Sequence, residues 1–552
     1  MLLAYAPPRE IARVALPAAA SAPRAPARPR LAVLVPAFCA DAPDEALLAP
    51  ADAIPSIRGL AGAAGLRDDP PIPIFGPLEG LSPPYAHDDA DGVRRIRIRF
   101  DLLANIFIHL SRIEEALAPA GVRDRFGRFP SRASLLARHG VLRSTPVDRL
   151  AAWFAETLAR EHPDPVAILA RRALWPGGER SAILLSHDVD QSVSWPRRLA
   201  RDLAGVGRAL ARARDPGLAE ALARTARHLA PANRDPACFP RAVHAYERGA
   251  GLSSSWFFLA VPRDSEGRRY RIASSPFRRF LREIAASGSE IGLHGSIQAS
   301  RDAGAMAAER RAIEAVVGVA VDANRQHYLV VAGPETFRNL ATAGVRVDSS
   351  VGYSDVAGFR AGTSLPFRPY DLAREAPIDL LEIPLGVMDV ALIEPGQRDA
   401  DLAPLWGEIL DRQATMGGLL VVLWHPRMFD AETHPAGRAP FEALVREGRA
   451  RGLPFVTARD VARWWRAREG LRLVACKCGA AQASHSALLR YESSEPLDRA
   501  TIVITSAGAA RPLAAEVRGA EIASSTMVGR DLHLGLAMIP RGAPIEVRVA
   551  PR

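Results

Sequence analysis

Lysine is almost missing from this chain. Lys477 is the only lysine among 71 basic residues, and the others are arginines. The basic residues exceed the 61 acids and give a net charge of +10, which would suit a nucleic-acid partner if the charge were concentrated. The arginines are instead scattered among the acids and form no stripe of the kind that follows a phosphate backbone. The sequence therefore argues against nucleic-acid binding.

Cysteine is also scarce. The four cysteines are Cys39, Cys238, Cys476 and Cys478, and the last two are one residue short of a CxxC pair. Because no second pair exists, a cysteine-type structural zinc site is excluded, and the wide spacing argues against a disulfide framework. Reduced thiols of this kind are typical of a cytosolic protein, so we expect a cytoplasmic location.

Long hydrophobic runs are absent as well. No apolar stretch approaches the ~20 residues that are needed to cross a bilayer. The first residues, MLLAYAPPRE, have no basic segment, and Pro7 and Pro8 interrupt their apolar stretch, which makes a poor signal peptide. We therefore expect no integral membrane segment, and the oligomeric state stays open.

The chain has enough length, 552 residues, and enough apolar residues, 48%, for about three folded domains. Residues 1–170, called the first region below, are expected to form an α+β domain of unknown role. It should contain a strand at 31–38, helices at 101–117 and 146–161, and no catalytic constellation. Residues 469–552 alternate polar and apolar side chains in short segments, which predicts a small β-sandwich.

Residues 171–468 carry short apolar runs that are mostly separated by helical segments, which predicts an α/β fold. Seven or eight such runs favour a distorted (β/α) barrel of parallel strands. An arginine- and alanine-rich stretch at 196–231 is predicted to add helices over one barrel mouth. The predicted strands lie at 183–186, 253–259, 290–293, 326–331, 345–347, 380–384, 419–424 and 454–456.

Residues of metal-ligand type stand next to several of these runs, mostly directly after them. In a barrel the carboxyl ends of the strands build the active site, so side chains that are distant in sequence should converge there. Two carboxylates on one side of an extended segment, facing histidines, suit a divalent metal with an adjacent base. One such residue alone is more often a structural histidine or a helix cap, whereas the whole set favours a functional site. The set is Asp188, Asp190, His294, Arg325, His327, Asp348 and His425.

At these residues the chain resembles a divergent branch of the polysaccharide deacetylases, the family 4 carbohydrate esterases. The resemblance spans residues 175–468 and implies a barrel that removes N- or O-acetyl groups with a bound divalent metal. Zinc is expected first, with cobalt, nickel or manganese as alternatives. The first region, with its FDLLANIFIHLSRIEE helix and an RFGRF segment at 125–129, looks like the uncharacterised domain that often precedes this branch. The segments that carry the resemblance are SAILLSHDVD, EIGLHGS, NRQHYL, VDSSVGYSDVAGFRAGTSLPF and LLVVLWHP.

The resemblance also implies a metal-ligand set. Asp188 matches the general base and Asp190 a metal ligand, although Val189 separates them and the reverse assignment stays open. His294 matches the first histidine of a metal-binding pair, but Gln298 stands where the second is expected. We predict that His327 partly replaces the missing histidine.

The remaining roles follow the same motifs. Arg325 matches an arginine that orients the base, and His425 matches the general acid that protonates the leaving group. Asp348 falls where an acidic partner for His425 would lie. Substrate contacts are expected from four further residues, although core packing is the alternative for most of the aromatic side chains among them. These four are Tyr328, Tyr353, Phe359 and Arg360.

The expected function is that of a metal-dependent hydrolase that removes acetyl groups from an N-acetylated sugar or polysaccharide, with a role in making or trimming an exopolysaccharide. The missing second histidine motivates an alternative, which is a non-catalytic carbohydrate-binding or assembly protein on a degenerate deacetylase barrel. A hydrolase for another amide or for a glycosidic bond on the same barrel is the third possibility, because fold does not fix function.

Overall fold

The computed structural model describes the barrel and the C-terminal region almost throughout and the first region in part. The described residues are 30–34, 56–57, 72–74, 84–90, 93–162, 168–191, 195–211, 218–229, 235, 237–261, 263–264, 267–268, 270–478, 487–506 and 512–551.

The first region combines a small sheet with a group of helices. β5 pairs with β1 in parallel and with β4 in antiparallel orientation, and β2 pairs with β3. β1 confirms the first part of the strand predicted at 31–38, whose residues 35–38 lie outside the described residues. The elements are β1 (Arg30–Leu34), β2 (Ser56–Ile57), β3 (Ile72–Pro73), β4 (Tyr85–Ala90), β5 (Val93–Ile98), α1 (Leu102–Ser111), α2 (Ile113–Leu117), α3 (Leu135–Arg138) and α4 (Pro146–Glu161).

The single helix predicted at 101–117 is divided into α1 and α2. The break is at Arg112, whose φ of 53° lies in the left-handed region. The Arg112 side chain is buried, with its guanidinium 3.5 Å from the Glu115 carboxylate and over the Phe337 ring of the following domain. We infer that these tertiary contacts stabilise a conformation that costs a non-glycine residue about 1–3 kcal/mol.

The middle of the chain forms one parallel sheet, which confirms the predicted α/β barrel class. Its strands run in the order β16-β13-β12-β11-β8-β7-β18-β17, and β19 pairs with the first half of β7. The strands from β6 to β19 are β6 (Ile168–Arg172), β7 (Ala182–Val189), β8 (Ser255–Phe258), β9 (Arg263–Asp264), β10 (Gly267–Arg268), β11 (Glu290–Gly295), β12 (Ala323–Gln326), β13 (Val347–Asp348), β14 (Tyr370–Asp371), β15 (Ala376–Pro377), β16 (Leu381–Glu382), β17 (Val387–Met388), β18 (Leu419–Leu423) and β19 (Phe455–Val456).

One short segment of the chain links the two edges of this sheet. β16 pairs with β13 at one edge, and β17, which follows four residues later, pairs with β18 at the other edge. The barrel is therefore distorted at this point, where the chain crosses between two strands that are not neighbours in the sheet. The helices of this part of the chain are α5 (Trp195–Ala211), α6 (Leu218–Leu229), α7 (Cys238–Gly249), α8 (Ser275–Ala286), α9 (Ala303–Val317), α10 (Gly333–Thr342), α11 (Ala403–Met416), α12 (Arg438–Ala450) and α13 (Ala458–Gly470).

The helices α5 and α6 correspond to the arginine- and alanine-rich insertion. They pack against each other in the connection that begins at the carboxyl end of β7. Their helical character agrees with the prediction, and their placement over the barrel mouth stays a prediction.

The C-terminal residues form two four-stranded antiparallel sheets. One has the order β20-β21-β26-β23, and the other has the order β24-β25-β22-β6. β6 comes from before the barrel and pairs with β22, so the sandwich includes residues predicted for the first region and the barrel. The strands are β20 (Leu471–Cys478), β21 (Ala487–Ser493), β22 (Leu497–Ser506), β23 (Leu513–Arg518), β24 (Ile522–Val528), β25 (Asp531–Ile539) and β26 (Ile545–Pro551).

A continuous apolar core joins the barrel to the sandwich. Trp175, Trp464 and Trp465 are buried between barrel residues such as Leu184 and sandwich residues such as Ile502. Among the described helices, none is long and apolar enough to cross a membrane.

Candidate metal centre

The carboxyl ends of β7, β11, β12 and β18 bring the predicted site residues together. β7 is buried along its whole length, and its sequence AILLSHDV is apolar until the polar residues begin at Ser186. Such a strand fits the centre of a parallel sheet whose two faces are both covered. The polar residues therefore start where the strand reaches the barrel mouth.

Asp190, His294 and His327 form a compact cluster at this mouth. One ligand atom from each lies within 4.8 Å of the other two. The Nε2 atom of His294 is 3.2 Å from Asp190 Oδ1, and the Nε2 atom of His327 is 3.9 Å from the same oxygen. The site thus assembles the three residues that the sequence predicted as metal ligands.

The backbone holds His294 with one ring nitrogen directed at the cluster. Its Nδ1 donates to the Arg325 carbonyl oxygen at 2.7 Å, so the other nitrogen, Nε2, remains available as a ligand. Gly295, the next residue, leaves room for the side chains of Gln326 and Asn324, because a Cβ atom there would clash with both of them. β11 and β12 pair in parallel with Gly295 opposite Gln326, so His294 and His327 lie at the same end of neighbouring strands.

Gln298, which stands at the position of the expected second histidine, is exposed and is not part of the cluster. The preceding turn is held by Ser296, whose Oγ donates to Glu309 at 2.5 Å. The ligand position that the resemblance assigned to residue 298 is therefore not directed into the site, and the second imidazole of the cluster comes from His327.

His327 lies after β12 and not at the start of a strand, as the prediction at 326–331 had it. β12 ends at Gln326, and His327 begins a short 3-10 turn in which Tyr328 and Leu329 have φ values of 59° and 55°. The apolar run therefore marks a buried turn and the strand precedes it. Arg325 is in the strand and His327 is beyond it, which places both at the carboxyl end.

The charges around Asp190 stabilise its ionised form. Burial acts to raise the pKa of the Asp190 carboxyl, but the imidazoles of His425, His294 and His327 outweigh burial and hold that pKa well below its usual range. For the His294 imidazole, burial acts to lower the pKa, and the carboxylates of Asp188 and Asp190 raise it overall. Arg427 Nη1, 3.8 Å from Asp190 Oδ2, adds a positive charge that the sequence analysis had missed.

Asp188 is the second carboxylate beside His294. Its carboxylate is 3.8 Å from His294 Nε2 and 3.9 Å from Arg325 Nη1, and its Oδ1 atom is buried without a hydrogen-bond partner. Arg325 is fully buried and donates from Nη2 to the hydroxyls of Ser186 and Ser349. Burial lowers the pKa of the Arg325 guanidinium, whereas Asp188, Asp348 and Glu382 act to raise it.

His425 is paired with Asp389, and this corrects the predicted pairing with Asp348. The Nδ1 atom of His425 is 2.8 Å from Asp389 Oδ1, and the His425 backbone N–H also donates to Asp389. Asp348 instead accepts from Asn324 Nδ2 at 2.7 Å and from Ser350 Oγ at 2.8 Å. Asp389 directly follows the two-residue strand β17, so the rule that polar residues follow strands could have found it.

The far nitrogen of His425 faces the cluster. Its Nε2 is 3.5 Å from Asp190 Oδ2. Burial acts to lower the pKa of the His425 imidazole, but Asp389 and Asp190 outweigh burial and the opposing charge of Arg427, so the pKa is raised. A protonated imidazole with a carboxylate behind it has the form of a general acid.

Three of the four predicted substrate contacts are in the buried packing between the first region and the barrel. Arg360 donates from Nε and Nη2 to both oxygens of Glu115, at 2.8 and 2.6 Å. Tyr353 and Phe359 are almost fully buried, and the Phe359 ring lies against Gly386. These side chains pack the interior and are not placed to contact a substrate. Tyr328 is partly exposed beside His327, with ring centroids 4.1 Å apart, and remains a candidate.

Comparison with known proteins gives a family for part of the first region. Residues 69–163 match a family of unknown function, DUF7033. The match covers less than half of the chain and does not include the barrel. A comparison with curated proteins gives no match.

Solved structures similar to this chain include deacetylases at low identity. A structure assigned as a polysaccharide deacetylase from Mycobacterium smegmatis is 17% identical with a TM-score of 0.35, over 54% of this chain and 94% of that one. The Puue allantoinase gives the same values. A chitin deacetylase from the fungal pathogen Colletotrichum lindemuthianum is 10% identical with a TM-score of 0.26, over 52% of this chain and 89% of that one. At these identities and TM-scores the likeness carries no argument about activity.

Proposed function

We propose that this protein is a metal-dependent hydrolase that removes acetyl groups from an N-acetylated sugar or polysaccharide. One observation supports this most strongly. Two pairs of residues lie beside the cluster of Asp190, His294 and His327. One is a carboxylate backed by an arginine, Asp188 with Arg325, and the other is an imidazole backed by a carboxylate, His425 with Asp389. A ligand set with a base and an acid beside it is what metal-assisted acyl hydrolysis requires.

The residues of the cluster fit a divalent cation. They offer one carboxylate and two imidazoles, a mixed oxygen and nitrogen set that suits zinc and related metals. Asp190 Oδ1 is buried without a hydrogen-bond partner, which is costly unless a cation or a polar ligand satisfies it. When bound, the metal would supply Lewis acidity, which polarises an acyl carbonyl and makes water more acidic.

Asp188 is placed to act as the general base. Asp188 lies beside the cluster, and its Oδ1 atom is buried without a hydrogen-bond partner. This oxygen can therefore accept a proton from an attacking water. Arg325, buried and fixed by two serine hydroxyls, faces this carboxylate and limits its orientation. Asp190, which is closer to both cluster imidazoles, is the better ligand, and this geometry favours the assignment in which Asp188 is the base.

His425 is placed to act as the general acid. Asp389 accepts from His425 Nδ1 and thereby directs His425 Nε2 toward the cluster. A proton on Nε2 can then pass to a leaving nitrogen. An amine leaves readily only when it is protonated, and for this reason we propose an N-acetyl bond. We also propose that the protein is cytoplasmic and that it acts in making or trimming an exopolysaccharide.

The experiment that tests the proposal measures metal content before any substrate is chosen. We expect about one zinc, cobalt, nickel or manganese ion per chain by elemental analysis, and its loss in His294→Ala. His87→Ala, which removes a half-exposed imidazole outside the cluster, is the matched control and should keep the metal.

Turnover is then measured on N-acetylated oligosaccharides. Asp188→Asn should retain the metal and lose activity roughly 10²–10⁴-fold, because the base is removed and the ligands remain. A wild-type protein that binds no metal after reconstitution would contradict the proposal and favour the non-catalytic carbohydrate-binding alternative. A metal-loaded protein on which Asp188→Asn has no effect would show that the base is assigned wrongly.

A further inference from the structure

A tight loop of the first region, residues 124–128, reaches the barrel beside the metal cluster. The loop is held by Asp124, whose Oδ1 accepts from the backbone N–H groups of Phe126 and Arg128, both at 2.9 Å. Its Oδ2 accepts from Arg128 Nε at 2.7 Å. Gly127, with a φ of 82°, completes the turn in a conformation that favours glycine. The loop is thus fixed by its own hydrogen bonds.

Two contacts join this loop to the turn that carries His327. The Phe126 ring stacks on the Tyr328 ring, with centroids 4.6 Å apart and planes inclined by 14°. Arg128 Nη1 donates to the Tyr328 carbonyl oxygen at 3.0 Å. Arg128 therefore bridges the Asp124 carboxylate in the loop and the backbone of the turn.

The turn needs such support because its backbone is strained. Tyr328 and Leu329 are consecutive non-glycine residues with left-handed φ values, each of which costs about 1–3 kcal/mol unless the surroundings stabilise it. The Tyr328 ring lies against the His327 ring at 4.1 Å, so a change in the turn would move the imidazole. The loop supplies both a ring and a hydrogen-bond donor to the residue that follows His327.

We propose that the 124–128 loop of the first region is a positioning element for the metal ligand His327. Phe126 and Arg128 act through Tyr328 and are not ligands themselves. The inference rests on the proposed function, since it takes His327 as a metal ligand, and it gives the first region a role in forming the site. Residues beyond a ligand that fix its orientation typically change metal affinity 10- to 100-fold when they are replaced.

The test is a titration of the full-length apo-protein with Co²⁺, read by the visible absorption of the bound ion. Phe126→Ala and Arg128→Ala should each weaken Co²⁺ binding about tenfold or more and change the absorption spectrum, because the imidazole geometry changes. Arg143→Ala is the matched control. It removes an ion pair with Glu408 that also joins the first region to the barrel but does not involve Tyr328, and it should bind Co²⁺ as the wild type does.

A double-mutant cycle separates positioning from general destabilisation. If Arg128 acts through His327, adding Arg128→Ala to His327→Ala should change Co²⁺ affinity by less than about twofold. The inference is overturned if Arg128→Ala binds Co²⁺ like the wild type, or if it has the same effect with and without His327. A wild-type protein that takes up no Co²⁺ overturns the proposed function and this inference together. A wild-type protein that binds Co²⁺, with an Arg128→Ala variant that binds it equally well, overturns this inference alone.

Discussion

At the scale of single residues, the pairing of His425 with Asp389 makes a prediction that separates acid catalysis from metal binding. In the wild type, the Asp389 carboxylate holds the His425 imidazole in place and raises the pKa of that imidazole. Asp389→Asn removes both effects. We expect kcat to fall roughly 10²–10⁴-fold, with metal content unchanged, since Asp389 is outside the cluster of ligands. Activity assays and elemental analysis on the same preparation check both parts.

The control for this variant is Asp401→Asn. Asp401 lies just before α11 and accepts from the Ala403 N–H, a role that asparagine can also fill. The Asp401→Asn substitution makes the same change from carboxylate to amide outside the site, and it should leave kcat near the wild-type value. An Asp389→Asn enzyme with wild-type kcat would mean that His425 does not act as the acid.

The position of Gln298 makes a second prediction. Its side chain is exposed, and the cluster takes its second imidazole from His327, so a histidine at position 298 has no route into the ligand set. Gln298→His should change the Kd for Zn²⁺ by less than about twofold, whereas His327→Ala should raise it at least tenfold. A large gain in affinity from Gln298→His, measured by calorimetric titration, would show that residue 298 belongs to the site.

Most of the candidate site was predictable from residue type and position. Asp190, His294 and His327 were found because parallel strands place their carboxyl ends together and only a few side chains bind metals. Asp389 was missed because its strand, β17, has only two residues and gives almost no periodic signal. Arg360 was misassigned because an arginine near aromatic residues suits either a sugar or a buried ion pair, and only the Glu115 contact distinguishes them.

At the scale of secondary-structure elements, α13 carries a testable cap. Thr457 and Asp460 form a capping box in which each side chain accepts from the backbone N–H of the other, and the helix then buries Trp464 and Trp465. Thr457→Ala should lower the free energy of unfolding by about 1 kcal/mol. Denaturant titration measures the change. Arg463→Ala, which removes an exposed ion pair on the same helix, should lower it by less than about 0.5 kcal/mol.

The elements that sequence reasoning misjudged share a physical cause. The left-handed break at Arg112 depends on contacts with Glu115 and Phe337, and local propensity contains no information about them. β6 has the sequence ILARR, which lacks a clear alternation, and it becomes a strand because β22 offers it a partner about 330 residues away. The helix at Pro146–Glu161 was predicted with its observed bounds, because its proline start and periodic apolar face are local signals.

At the scale of the whole molecule, the three parts of the chain are joined by contacts that few sequence signals anticipate. β6 joins the sandwich although it precedes the barrel. Asp148 of α4 accepts from the hydroxyl groups of Thr363 and Ser364, and Glu115 of α2 accepts from Arg360, so two helices of the first region are tied to the barrel by buried carboxylates. We infer that the first region is needed for the folded state of the barrel as well as for its site.

This arrangement predicts a pH dependence of stability that arises outside the site. Burial raises the pKa of the Glu114 carboxyl to about 7, helped by the negative charge of Glu115 and opposed by the Leu135 N–H, the Ser134 hydroxyl and Arg138. The folded state therefore binds a proton that the unfolded chain, with an ordinary glutamate pKa, releases near pH 4.5. The stabilisation is fully present below that pH and is lost as the pH rises through about 7.

The size of this effect follows from the shift in pKa. Deprotonation of Glu114 should lower the free energy of unfolding by up to about 3 kcal/mol between pH 4.5 and pH 8. Glu114→Gln keeps an acceptor for the Leu135 N–H and cannot ionise, so it should remove this part of the pH dependence. Denaturant titrations of both proteins at pH 5 and pH 8 measure the difference, in which the contributions of all other groups cancel. Equal slopes with pH would mean that Glu114 is not held protonated, and that water reaches its contact with Ser134 and Leu135 within the first region.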